Sequence, residues 1–116
     1  MQNNPTQPGV ELTLGGLTYT LLFDFEAIAT AEEATGQSLI SGLHKKEVDS
    51  PRISLVRGLL WACLLPKQPA ITQDEAAKLV NQHNLTAIWG KTLEAWVAGM
   101  AEPEAEEGGD PPVSQS

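Results

Sequence analysis

The stretch that decides the fold is Gly9–Leu39, GVELTLGGLTYTLLFDFEAIATAEEATGQSL. Apolar residues alternate twice within it. Val10, Leu12 and Leu14 share one face of a first strand, and Tyr19, Leu21 and Phe23 share one face of a second. Between them Gly15 and Gly16 supply the positive φ angles that a two-residue hairpin turn requires. The alternation then gives way to a helical pattern, with Asp24 placed to cap the free N–H groups of the first turn. Phe25, Ile28 and Ala29 make a modest apolar stripe expected to face the hairpin. Gly36 ends the helix.

Everything further along reads as helix or connection. Ser38 is placed to cap a short helix across Leu39, Ile40 and Leu43, and Lys45–Asp49, the most polar internal stretch, reads as a loop. Ser50-Pro51 is a helix start, with Ser as N-cap and Pro where its missing N–H costs nothing. Ile53, Val56, Leu59, Leu60, Cys63 and Leu64 then recur every three or four residues, while Leu55, Trp61 and Leu65 add apolar surface on other faces. A helix apolar around most of its girth is either the centre of a fold or partly covered by another chain. Gly58 within it costs about 1 kcal/mol relative to Ala, which points to close approach by a neighbouring helix.

Pro66 and Pro69 end that helix. Thr72-Gln73-Asp74-Glu75 is a capping box, and the helix behind it turns Ala76, Leu79 and Val80 inward, with Asn84 closing it. From Thr86 to Met100 a last amphipathic helix lines up Ile88, Trp89, Leu93, Trp96, Val97 and Met100. The expected fold class is therefore α+β: an N-terminal β-hairpin followed by four to five short α-helices. One domain spans 9–101, between a flexible lead-in at 1–8 and an acidic, disordered tail at 102–116.

Charge narrows the function classes. The net charge is −8, and Glu102, Glu104, Glu106, Glu107 and Asp110 follow Met100 with no Lys or Arg among them. The remainder carries ten acids against seven bases. Nucleic-acid binders concentrate cations to displace counterions from phosphates, whereas only Lys45 and Lys46 are adjacent here. Thr72–Trp96 has the rhythm of a helix-turn-helix, but its second helix offers Lys91 alone, opposed by Glu94. Nucleic acid is not the expected partner. Nor is a membrane: the longest apolar run, 58–65, has eight residues, against about 20 for a span. The polar start, Met1–Pro5, is unlike a signal peptide. A lone cysteine fits a reducing compartment.

Catalytic chemistry finds little material. His44 and His83 have no Cys or Asp at metal-ligand spacing, so they read as surface residues near helix ends. Cys63 lies in the apolar helix, where a thiol stays protonated and inert. Glu32 and Glu33 are adjacent on a helix and diverge by about 100°, so they cannot share one substrate. Gly15-Gly16 lacks the Lys-Ser/Thr of a phosphate loop. No catalytic residue, cofactor or metal is expected. Three tryptophans in so small a chain suggest apolar surface offered to another protein. The positions a small core needs least are Leu55, Trp61, Leu65, Trp96 and Met100.

The pattern GVELTLGG-x-TYTL-x-FDF-x-A-x-A-x-x-EEATGQSL, followed by Arg57-Gly58-Leu59-Leu60-Trp61-Ala62, resembles the phage tail assembly chaperones and their gene-transfer-agent relatives. The match covers roughly residues 9–65. That resemblance implies a non-enzymatic protein of the infected bacterial cytoplasm, absent from the finished virion. Its partner would be the long helical tape measure protein, kept soluble until tail tube subunits polymerise around it and displace the chaperone. The helix bearing Glu32 and Glu33 then becomes a further candidate partner surface. Self-association into a homo-oligomer stays open, as do two other roles: a minor structural or adaptor protein of the particle, and an acidic DNA-binding regulator.

Overall fold

The computed structural model describes residues 9–39 and 41–100. The expectations for 1–8, Ile40 and the acidic tail fall outside the described residues. Strands β1 (Val10–Leu14) and β2 (Leu17–Leu21) pair antiparallel, with Leu12 opposite Tyr19 and Leu14 opposite Leu17. The turn is the one the glycines require, with φ of 58° at Gly15 and 83° at Gly16. Leu12 and Leu21 are buried, whereas Glu11, Thr13 and Thr18 are exposed, so one face is apolar. A two-stranded hairpin is at best marginally stable alone. Helices cover its apolar face.

Helix α1 (Phe25–Thr35) begins as read: Asp24 Oδ1 accepts from Ala27 N at 2.8 Å, and Gly36, at φ 72°, closes the C-terminus. Its inner face differs from the expected one. Ala27, Ile28 and Ala31 are buried, while Phe25 is 72% exposed and Ala29 is exposed. The helix packs mainly on α3 (Ile53–Leu64) instead of the hairpin, and that rotation turns Phe25 outward. Gly58 permits the close approach. A Cβ there would lie 2.8 Å from Thr35 Cγ2 and 3.6 Å from Ala34 Cβ.

No helix forms across Leu39 and Leu43. Glu32 reaches forward and its Oε2 accepts from Leu39 N at 2.7 Å. Gly42 then turns the chain at φ 96°, donating to the Leu39 carbonyl. Leu39 is fully buried from this loop. Lys45–Asp49 is not a loop but a short helix, α2, started by Glu47 Oε1 accepting from His44 N at 3.3 Å. Gln37 Nε2 donates to the other oxygen of Glu47 at 2.9 Å. That bond, above all, holds the Glu47 carboxyl below its ordinary value.

The Ser50-Pro51 start is displaced as well. Ser50, kept out of the helical region by the proline after it, caps the end of α2. The α3 helix begins at Ile53 on the carbonyl of Arg52. It is the centre of the fold: Leu55, Val56, Leu59, Leu60, Cys63 and Leu64 are at most 1% exposed. Leu22 N donates to the Cys63 carbonyl at 2.8 Å, so the chain leaving β2 satisfies one of the groups a helix end leaves free. Helix α4 (Gln73–Leu79) carries the expected reciprocal box between Thr72 and Glu75. Asn84 Nδ2 closes it by donating to the Leu79 carbonyl at 2.8 Å.

Helix α5 (Leu85–Met100) covers the hairpin and α3. Ile88, Trp89, Thr92, Ala95 and Trp96 form its buried face, and Thr92 loses no hydrogen bond there because its hydroxyl donates to the Ile88 carbonyl. Val97, expected inward, is one step past that face and 65% exposed. Trp96 meets Phe23 edge to face at 5.2 Å, and Trp89 Nε1 donates across the fold to the Val48 carbonyl at 2.9 Å. One core cluster joins hairpin and helices.

Candidate binding trough

The residues singled out in the sequence scatter over the molecule. Leu55 and Trp96 are core, 1% and 6% exposed, and offer no surface to a partner in this conformation. Trp61 is half-buried, its Nε1 donating to the Ile71 carbonyl at 3.1 Å. Leu65 is half-buried too, beside Pro66 in a small hollow of about 180 Å³. Met100 is exposed at the end of α5, and Glu33 is exposed on α1. Glu32 is occupied in capping the Leu39 backbone. These positions do not assemble into one site.

Two surface depressions do gather side chains. The first, about 530 Å³, lies between the hairpin and the start of α4, against Tyr19, Pro69, Ile71, Glu75 and Leu79. Two of its polar groups are already committed, Glu75 to the Thr72 backbone and the Ile71 carbonyl to Trp61.

The second, about 480 Å³, is built from three helices: Ala34 at the end of α1, Ile53, Ser54, Arg57 and Gly58 of α3, and Gln73 and Ala77 of α4. It continues into a hollow of about 290 Å³ bounded by Val80, Asn81, Gln82 and Leu85. Ile53 and Arg57, one turn apart on the same face of α3, line both hollows, so the two adjoin, open to solvent, and are named together as the trough. Ile53 was expected in the buried stripe. As the first residue of α3 it overhangs the core and is 53% exposed.

The electrostatics of the trough are unlike those of the chain. Arg57 is the one charged residue lining it, in a protein with 15 acids and seven bases. The Arg57 guanidinium has no ion pair or hydrogen bond with any described residue. The described ion pairs lie elsewhere, Lys45 with Asp49, Lys78 with Asp74 and Lys91 with Glu94.

No protein-family model, curated protein or solved structure matches the chain. What the trough can do rests on its own residues. Among the described residues no cluster of His, Cys, Asp or Glu has the arrangement of a metal site, and no helix is long and apolar enough to cross a membrane. His44 and His83 are exposed beside helix ends. Cys63 is buried, its Sγ donating to the Leu60 carbonyl at 3.3 Å, and burial pushes its thiol far above the ordinary range. A thiolate nucleophile is not available there.

The sequence carried a partial signal for the trough. Ile53 and Arg57 stand four apart, as do Gln73 and Ala77, and small residues occur at 34, 58 and 77. Nothing in that spacing says that these positions meet.

Proposed function

We propose that this chain is a non-enzymatic assembly chaperone of the phage tail type, which shields an apolar helical segment of a tape measure protein in the trough along Ile53 and Arg57. The observation that carries the reading is an open trough in which a half-exposed Ile53 stands beside Ala34, Gly58 and Ala77. An amphipathic helix lays its apolar face into grooves of this kind. The order of elements supports it further: a hairpin, a helix with Glu32-Glu33 and Thr35 near its end, the short α2, then the Leu-rich α3. Apart from α2, that is the order the resemblance implies.

Co-expression tests the proposal. The partner is a tape measure protein, and the readout is its soluble fraction. Wild type should keep it soluble. Ile53→Lys would place an uncompensated cation beneath the bound helix, a burial that costs several kcal/mol, and should return the partner to the pellet. Because Ile53 is exposed in the free protein, the variant's own Tm should fall by only a few degrees; the new like-charge pair with Arg57 costs about 0.2–0.5 kcal/mol. A partner that stays insoluble with wild type refutes the reading.

A further inference from the structure

Any helix seated in the trough must cover Arg57, which lines both halves of it. In the free protein the guanidinium is solvated and makes no bond to a described residue. Covering it removes that water. A guanidinium desolvated without a partner is strongly unfavourable, whereas a carboxylate opposite it forms a two-pronged, charge-assisted bond. Among the described residues no acid lines the trough to play that part: its other polar residues are Ser54, Gln73, Asn81 and Gln82. No described residue supplies the counter-charge.

We infer that the trough selects an amphipathic helix carrying a single Asp or Glu within its apolar face, placed to pair with Arg57, and rejects helices with a cation there. The inference rests on the helix-docking reading above and adds the rule by which partners are chosen. The chain's excess of acids, 15 against seven bases, disfavours a partner carboxylate over much of the rest of the molecule, so pairing at Arg57 also favours one register.

The test uses the full chain and three fluorescein-labelled, 20-residue Ala/Leu-faced helical peptides. They are identical except for Glu, Gln or Lys at the centre of the apolar face. Fluorescence anisotropy with wild type should rank them Glu, Gln, Lys, with at least a tenfold difference in Kd between the first and last. Arg57→Glu should reverse the order, and Arg57→Ala should bring the three together; both changes are at an exposed helix position, and circular dichroism checks that they fold. Equal binding of all three peptides to wild type overturns the pairing with Arg57 and leaves helix docking standing. If none binds, both fall. Sedimentation of the protein alone covers the remaining occupant: a dimer that Arg57→Glu dissociates would mean that a second copy fills the trough, which overturns the inference.

Discussion

Gly99 and Gly90 sit on the same helix and make opposite demands. A Cβ at Gly99 would lie 2.4 Å from the carbonyl oxygen of Phe23, a backbone atom with nowhere to go, whereas a Cβ at Gly90 meets nothing within 4 Å. Ala is favoured over Gly in a helix by about 0.8–1 kcal/mol; forcing an atom into a packed contact costs about 1–3 kcal/mol. Gly90→Ala should therefore raise Tm by a few degrees and Gly99→Ala should lower it. Thermal melts of the two variants decide it, and a rise in both would mean that α5 does not seat on Phe23. The sequence revealed Gly58 because it interrupts an otherwise strong helical run. Gly99 stood unremarked near a helix end, since its demand comes from a residue 76 positions away. Ile53 was misplaced for a related reason: periodicity puts it on the buried face, but a first-turn residue can overhang the core.

At the scale of elements, α2 shows what a pattern of apolar residues cannot find. Lys45–Asp49 has one apolar residue, Val48, and five residues are far too few to be helical alone. What holds it is tertiary. Glu47 ties its start to His44 and to Gln37, and Trp89 binds the Val48 carbonyl. Trp89→Phe keeps most of the ring and removes the donor. It should cost about 1 kcal/mol and selectively speed amide hydrogen exchange in 45–49. Unchanged exchange there would show that α2 does not depend on α5. The elements that the sequence did disclose, the hairpin, α1, α3, α4 and α5, are those with sustained periodicity or a local cap. Ser50-Pro51 has the chemistry of a helix start, yet Ser50 ends α2 and α3 begins at Ile53. The two residues serve equally well as a connector between helices. The turn at Leu39–Gly42 escaped because the Glu32 carboxylate, supplied from the preceding helix, takes the backbone donor that a new helix would have left free.

Over the whole molecule, α3 is the hub that the hairpin and α1, α4 and α5 share, and its burial explains why Leu55 belongs to the core despite lying off the main stripe. Trp96 is likewise used up against Phe23. Apolar surface remains where the hub's first turn emerges, at Ile53, and separately at Leu17, Phe25, Val97 and Met100. Of these only Ile53 lies in the trough with the unpaired Arg57. The trough joins residues of α1, α3, α4 and the start of α5, and no local spacing encodes that meeting.

Backbone amide shifts of the ¹⁵N-labelled protein, followed as the helical partner segment is added, test the account most directly. The largest changes should fall on Ile53, Arg57, Ala77 and Leu85, leaving the amides around Phe25, Val97 and Met100 nearly still. Changes centred on Phe25, Val97 and Met100 with Ile53 and Arg57 unmoved would contradict it.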